Sequence, residues 1–176
     1  ISSGFARLDE LEGRICIPCN QFARHRMVRV YFHGVSRLGD GALWYIMLAV
    51  LPLVHGPVAV EPVVHMAITA LAGLLVYKSI KGSMLRERPF ASHAGLKPLA
   101  RPLDRYSFPS GHTLQATLFL TLLAHYFPQV AWLMVPFALS VAVSRVVLGL
   151  HYPTDVIIGA LLGWVIATAS LAVILP

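Results

Sequence analysis

The chain has 176 residues, of which 57% are hydrophobic and only 12% are charged. A soluble globular domain carries about 25% charged residues, so this composition argues against an ordinary soluble protein and predicts one that crosses a membrane. The formal net charge is +6, but no aromatic and basic recognition module accompanies it, which argues against a nucleic-acid partner. The positive charge instead favours contact with anionic lipid head groups or with phosphorylated molecules.

Residues 1–40 are expected to lie along the membrane surface. Apolar residues recur there at approximately helical spacing, but Arg24, Arg26 and Arg29 interrupt any window long enough to span a bilayer. This pattern predicts one or two amphipathic helices at the interface, followed by a transmembrane domain of residues 41–176. Charged residues near the start of the chain also argue against a cleavable signal peptide.

The two cysteines, Cys16 and Cys19, form a C-x-x-C pattern within this first segment. A structural zinc site usually takes four ligands, and the sequence has no second cysteine pair to complete one. A redox-active C-x-x-C normally lies in a thioredoxin-like βαβ unit, which this sequence does not predict. We therefore interpret both cysteines as packing residues of a peripheral segment.

Five apolar stretches are long enough to cross a bilayer, which takes about 20 residues. They are residues 42–60, 62–80, 112–127, 130–148 and 156–175. The last contains Gly159-x-x-x-Gly163, a spacing of small residues that predicts close contact with another helix. The predicted fold is all-α, a polytopic membrane bundle of about five transmembrane helices plus an N-terminal interfacial amphipathic helix.

With five spans, the polar connections fall on one side of the membrane. That side holds residues 1–40, the loop 81–111 and the connection 149–155. We expect only the tight turns near 56–61 and 128–130 and the C-terminus on the opposite side. Every Lys and Arg is on or near the first side. The positive-inside rule therefore predicts a protein of the cell (inner) membrane whose polar segments face the cytoplasm.

Three cations stand near the ends of apolar helices, namely Lys81, Arg88 and Arg145. An unpaired charge is costly at such positions, whereas the planar fork of Arg and the point charge of Lys both suit a phosphate. We expect these three residues to bind one phosphoryl group together. Lys78 and Arg86 we interpret instead as basic side chains that extend to the membrane surface.

The sequence Pro109-Ser110-Gly111-His112 comes directly before an apolar run, and its Pro and Gly predict a turn into a helix. The free N–H groups at a helix start form a ready anion site. Gly111 would let the backbone approach a phosphate closely, and the Ser110 hydroxyl would donate a further hydrogen bond. His112 would then face the oxygen of the leaving group.

His151 and Asp155 follow Arg145 and stand four residues apart at the start of the last helix. We expect the Asp155 carboxylate to accept a hydrogen bond from one ring nitrogen of His151, which leaves the other free to attack phosphorus. His112 would protonate the departing alkoxide and later activate water. Alternatively, both histidines and Asp155 could ligate a metal, but three neighbouring cations oppose a divalent ion.

These spacings resemble the type 2 phosphatidic acid phosphatase/haloperoxidase superfamily, whose pattern is K-x6-R-P, P-S-G-H and S-R-x5-H-x3-D. The chain reads Lys81…Arg88-Pro89, then Pro109-Ser110-Gly111-His112, then Ser144-Arg145…His151…Asp155. The resemblance implies a helical bundle that needs no metal or other cofactor. It also implies phosphate binding by Lys81, Arg88, Arg145, Ser110 and Gly111, a nucleophile in His151, an acid in His112, and orientation of His151 by Asp155.

The leading functional expectation is hydrolysis of a lipid phosphate monoester or diphosphate, such as phosphatidic acid, phosphatidylglycerol phosphate or a polyprenyl phosphate or diphosphate. The expected partners are this phosphorylated lipid and the bilayer, with no obligatory protein partner. The alternatives are a lipid phosphotransferase that uses the same phosphohistidine, a vanadate-dependent haloperoxidase, and a non-enzymatic membrane scaffold. Familiar bacterial membrane members of the superfamily have six spans and an outward-facing site, so the predicted five spans and cytoplasmic side differ from them.

Overall fold

The computed structural model describes residues 5–102 and 104–174, and helices are the regular structure throughout that part of the chain. The helices are α1 Ala6–Phe22, α2 Arg26–Leu38, α3 Ala42–His55, α4 Val60–Ser83, α5 Pro89–Ser92, α6 Gly111–Tyr126, α7 Pro128–Val147 and α8 Pro153–Ile174, with a short 3-10 turn at Pro57–Ala59 before α4. The predicted all-α class is confirmed.

A helix forms in each of the five predicted spans, but fewer are long enough to cross a bilayer alone. Among the described residues, three helices are long and apolar enough, namely α4 with its preceding turn, α7 and α8. Helices α2 and α3 meet the same criteria only as a pair bent by 55°. The number of five spans therefore stays a prediction.

The first predicted span, residues 42–60, is interrupted. Helix α3 ends at His55 after 14 residues, because Gly56 takes a φ of 75° and Pro57 follows it. A positive φ is readily adopted by glycine and turns the chain out of the helix. The chain thus folds back into α4 within a few residues, as the predicted turn near 56–61 requires.

The N-terminal segment forms two helices, α1 and α2, and both pack against α7. Helix α2 carries Arg26, Arg29 and Arg37 together with exposed apolar side chains such as Met27 and Val30. This composition supports the predicted amphipathic character. The interfacial placement and the domain division at residue 40 stay predictions.

Helix α6 has 16 residues and lies at the centre of the bundle, in contact with α4, α7 and α8. Half of its side chains are buried, and Phe119 stacks on Trp44 of α3 with ring centroids 4.9 Å apart. The helix begins within the P-S-G-H sequence, at Gly111. The packing around α6 therefore fixes the position of those polar groups.

The predicted close approach of the last helix is confirmed at Gly159 and Gly163. A Cβ atom at Gly163 would overlap the carbonyl oxygen of Leu114, and one at Gly159 would overlap that of Ser110. Both obstacles are backbone atoms of or next to α6, which no side-chain rotation can move. The two glycines thus let α8 lie directly against the start of α6.

We expect Gly163→Leu to destabilise the protein, because α8 would have to move away from α6. Overpacking of this kind typically costs about 1–3 kcal/mol. The measurement is thermal unfolding in detergent. Gly34→Leu in α2 is the matched control, because a Cβ there meets nothing within 4 Å. An equal melting temperature for both variants would contradict the proposed packing constraint.

Candidate active site

The three predicted phosphate-binding cations are buried at one end of the bundle. Lys81 lies in the last turn of α4, Arg88 directly precedes α5, and Arg145 lies in the last turn of α7. Their relative exposures are 8%, 2% and 3%. The fold thus removes all three charges from solvent, which requires compensation by nearby oxygen atoms.

Asp104, which has no place in the sequence motifs, supplies part of this compensation. Its carboxylate lies 3.1 Å from the Lys81 Nζ and accepts a 2.5 Å hydrogen bond from the Tyr77 hydroxyl. Burial opposes ionisation of Asp104, but the Tyr77 hydrogen bond and the charges of Lys81 and Arg88 lower its pKa below the ordinary value. Asp104 is therefore a carboxylate that sequence reasoning missed, since no spacing connects a loop residue to these helix ends.

The two guanidinium groups are held by neutral oxygen atoms. Arg88 donates through Nε to the Asp104 carbonyl at 2.9 Å and through Nη1 to the Leu150 carbonyl at 2.7 Å. Arg145 donates through Nη1 to the Ser36 hydroxyl at 2.5 Å. The Arg145 Nε is buried without a hydrogen-bond partner in the described part of the chain. Arg145 therefore retains a donor that an anion could use.

The start of α6 is joined to the start of α8. Ser110 precedes the first turn of α6, and its backbone N–H donates to the Asp155 carbonyl at 3.0 Å. A Cβ at Gly111 would lie 2.9 Å from the Tyr77 ring. The predicted turn into a helix is confirmed, and only a residue without a side chain fits at position 111 without moving Tyr77.

His112 lies in the first turn of α6 and faces a carboxylate. Its Nε2 is 3.6 Å from an Asp40 oxygen in the connection between α2 and α3. Burial raises the pKa of Asp40 above its ordinary value, although the charges of Arg145 and Arg37 oppose this. An ionised Asp40 would stabilise the protonated form of His112. No motif or spacing indicates this pair, whose members are 72 positions apart.

A tight turn after α7 places His151 beside the cations. Gly149 takes a φ of 74°, and the His151 N–H donates to the Arg145 carbonyl at 3.0 Å. The His151 Nε2 is 3.4 Å from the Arg88 Nη1. Burial, followed by the charges of Arg145, Arg88 and Lys81, lowers the pKa of His151 well below its ordinary value. A shift in this direction favours the neutral imidazole.

Asp155 lies next to His151 but does not hydrogen-bond to it. The His151 Nδ1 and the Asp155 Oδ2 are 3.7 Å apart, beyond hydrogen-bond distance, so the expected bond is absent in this structure. The Asp155 Oδ2 instead accepts from the Tyr152 N–H at 2.8 Å, and its Oδ1 accepts from Arg86 at 2.6 Å. A shift of a fraction of an ångström would complete the expected contact.

The interpretation of Arg86 as a side chain extending to the surface is wrong. Its side chain is fully buried between the rings of Tyr152 and Phe5, with its Cζ 4.1 Å and 4.9 Å from the ring centroids. The guanidinium contacts the carboxylates of Asp9, Glu12 and Asp155. Two of these partners lie in α1, more than 70 residues away, which sequence spacing could not indicate.

The structure thus brings together Lys81, Arg88, Ser110, Gly111, His112, Arg145, His151 and Asp155 at one end of the bundle. Within residues 5–102 and 104–174, no three His, Cys, Asp or Glu side chains converge as a metal-binding set. The predicted roles of the eight residues stay predictions. Asp40, Asp104 and Arg86 join them as neighbours that the motifs do not include.

Several known proteins are similar to this chain in sequence or in fold. The sequence matches the PAP2 superfamily over residues 62–175. It is 44% identical over 82 residues to decaprenylphosphoryl-5-phosphoribose phosphatase of Mycolicibacterium smegmatis, covering 46% of this chain and 42% of that relative. It is 33% identical over 95 residues to undecaprenyl-diphosphatase BcrC of Bacillus subtilis, covering 54% and 49%. The matched regions thus span about half of these relatives.

The structure resembles the crystal structure of Aquifex aeolicus LpxE with a TM-score of 0.77 and 26% sequence identity, covering 90% of this chain and 93% of that one. The family match covers most of the chain, including every motif residue of the site. The apolar helices agree with membrane placement. This chain is therefore a membrane protein, and it belongs to the PAP2 superfamily.

Proposed function

We propose that the protein is a metal-independent phosphatase that hydrolyses a phosphate monoester or diphosphate of a lipid. The observation that carries this proposal is that His112 and Asp40 line two cavities of opposite polarity. A lipid phosphate has the same division, with an apolar chain on one side of the ester and a charged group on the other. The names of the relatives, which include two polyprenyl phosphatases, support the same substrate class.

The first cavity suits a hydrocarbon chain. It has a volume of about 390 Å³ and lies among α3, α4 and α6. Apolar residues form most of its wall, including Trp44, Leu48, Leu71, Leu74, Leu114 and Phe119, and its polar end is formed by Asp40 and His112. A chain in this cavity would place its ester oxygen beside the His112 ring. A water-soluble phosphate ester would leave the apolar wall uncovered.

The second cavity suits an anionic head group. It has a volume of about 350 Å³ and is lined by His33, Ser36, Arg37, Arg101 and Arg145 together with Asp40 and His112. Three guanidinium groups against one carboxylate make it cationic. Such a cavity would attract the phosphoryl group towards Arg145 and would accommodate the second phosphate of a diphosphate.

In the proposed first step, the neutral His151 attacks phosphorus through Nε2 while Lys81, Arg88 and Arg145 neutralise the phosphoryl oxygens. The P–N bond forms as the bond from phosphorus to the lipid oxygen breaks. His112 transfers its proton to that oxygen, so the lipid leaves as an alcohol or as a lipid monophosphate. Burial, together with the positive charges beside His151, favours the unprotonated imidazole, which preserves the lone pair for attack.

In the second step, water attacks the phosphohistidine. His112, now neutral, accepts a proton from the water as the new P–O bond forms and the P–N bond breaks. Inorganic phosphate leaves, and both histidines return to their initial states. Asp40, at 3.6 Å from the His112 Nε2, would stabilise the protonated ring that this step restores.

The direct test is phosphate release by detergent-purified protein in EDTA, across phosphatidic acid, phosphatidylglycerol phosphate, a polyprenyl phosphate, a polyprenyl diphosphate and a water-soluble ester. We expect release from at least one lipid, and loss of turnover in His151→Ala and His112→Ala while the fold is retained. His125→Ala is the control, because this histidine lies at the far end of α6.

Wild-type turnover in either active-site variant would contradict the mechanism. Labelled phosphate that appears on an added acceptor lipid, rather than in solution, would assign the protein as a phosphotransferase. If the protein neither releases phosphate from any substrate nor transfers it, the result would favour the alternative of a non-enzymatic membrane scaffold.

Orthophosphate binding tests the cation site without any knowledge of the lipid. We expect Arg145→Ala to weaken phosphate binding about 10- to 100-fold, because a hydrogen bond to a charged group contributes about 1.5–3 kcal/mol. Isothermal titration in detergent gives the dissociation constants. Arg29→Ala on the exposed face of α2 is the control, and equal affinity of the two variants would contradict the assignment of Arg145.

We also propose that the site faces the cytoplasm. The support is the charge distribution along the sequence. Glu61 is the one charged residue between positions 42 and 77, and every Lys and Arg falls within residues 7–37 or 78–105 or at position 145. The test is Lys97→Cys in a background with Cys16→Ser and Cys19→Ser, because Lys97 is exposed in the loop before α6. We expect a membrane-impermeant thiol reagent to label it only after the membrane is opened. Labelling of intact cells from outside would reverse the orientation.

A further inference from the structure

The first turn of α8 is held by a residue from the opposite end of the sequence. Helix α8 begins at Pro153, which has no N–H, so Thr154 presents the first backbone N–H of the helix. That N–H donates to the Glu12 Oε1 at 2.7 Å, and the Thr154 hydroxyl donates to the Glu12 Oε2 at 2.7 Å. A carboxylate at a helix N-terminus is favourable because it satisfies free N–H groups and opposes the helix dipole.

Arg86 joins this cap to the residue that is expected to orient the nucleophile. Its Nη2 donates to the Glu12 Oε2 at 2.6 Å. Its Nη1 donates to the Thr154 Oγ1 at 2.8 Å and to the Asp155 Oδ1 at 2.6 Å. One guanidinium therefore contacts both the residue that caps α8 and the carboxylate in the first turn of α8.

The charged groups at the centre of this network are buried. Arg86, Glu12 and Asp155 have relative exposures of 1%, 6% and 0%. Buried charge pairs depend on good geometry, and removal of one partner leaves an uncompensated charge. Asp9, with two further contacts of 2.9 Å and 2.7 Å to Arg86, lies towards the surface. Glu12 is thus the member of α1 that reaches the interior of the network.

We propose that Glu12 and Arg86 are positioning residues that set the Asp155 carboxylate against His151. Glu12 fixes the backbone of α8 at Thr154, and Arg86 fixes one Asp155 oxygen. The other oxygen is left 3.7 Å from the His151 Nδ1. Helix α1, which the motifs do not include, is then part of the apparatus that orients the nucleophile. This proposal rests on the phosphatase function proposed above.

The residues that orient Asp155 are different from those that hold the phosphate-binding cations. The three phosphate-binding cations are held by other contacts, which pair Lys81 with Asp104, Arg88 with the Leu150 carbonyl and Arg145 with Ser36. None of these partners belongs to the Glu12 network. Loss of Glu12 should therefore reduce the rate of phosphoryl transfer without weakening phosphate binding. A residue with only a structural role would lower the folded fraction and leave each folded molecule fully active.

The experiment compares Glu12→Gln with wild type in the full chain, purified in detergent, on the lipid that the panel identifies. We expect kcat to fall about 10- to 100-fold, since small misplacements of a catalytic group have effects of this size. KM and the orthophosphate dissociation constant should stay within about twofold. Turnover is expressed per phosphate-binding site, so that unfolded protein does not enter the rate.

Glu10→Gln is the matched control on the same helix. Glu10 pairs with Arg14 at 3.6 Å, and both side chains are more than 70% exposed. We expect it to keep the wild-type kcat. Thr154→Val is the milder second variant, which removes one hydroxyl from the network and should lower kcat severalfold if Glu12→Gln does not fold.

A wild-type kcat per binding site in Glu12→Gln, or in Thr154→Val where the first does not fold, would overturn the proposal. An equal loss of phosphate affinity and kcat would also overturn it, because the variant would then have disturbed the cation site. Failure of the proposed function is a different result, in which the wild-type protein releases phosphate from no lipid.

Discussion

The burial of positive charge at one end of a membrane bundle is the constraint on which the site depends. Lys81, Arg86, Arg88 and Arg145 are each no more than 8% exposed, and an isolated charge in such an environment is strongly unfavourable. Arg86 is compensated by carboxylates, whereas Arg88 and Arg145 are held largely by neutral oxygen atoms. The fold therefore leaves positive charge around His151 that a bound phosphoryl group would neutralise.

The two histidines of the site have different nearest neighbours. His151 lies among the cations, and burial together with these charges lowers its pKa well below the ordinary value. His112 lies in the first turn of α6, where the Asp40 carboxylate is 3.6 Å from its Nε2. In the proposed mechanism, His151 is the nucleophile and His112 carries the proton. The two rings are chemically identical, so any difference in their behaviour must come from the residues around each.

Helix packing converts separate stretches of chain into one site. Gly159 and Gly163 let α8 contact the backbone at the start of α6, which brings Asp155 to Ser110. The turn at Gly149 returns the chain to the Arg145 carbonyl and places His151 beside Arg88. Glu12 then joins α1 to the start of α8. Each connection is local in space, but the residues come from four distant parts of the sequence.

The sequence by itself determined the apolar helices, the two tight turns, the small-residue contact of α8 and the set of motif residues. These features depend on hydrophobicity, on glycine and proline, and on short spacings, which a linear chain displays directly. Only the tertiary structure showed the partners of the motif residues. Asp40 lies beside His112 and Asp104 beside Lys81, across separations that no periodicity relates. The same holds for Glu12 and Arg86, a residue outside the motifs, which is why the sequence alone indicates a surface position for Arg86. The sequence indicated the turn near 56–61 but not the end of α3 at His55, since hydropathy continues across Gly56 while the helix does not.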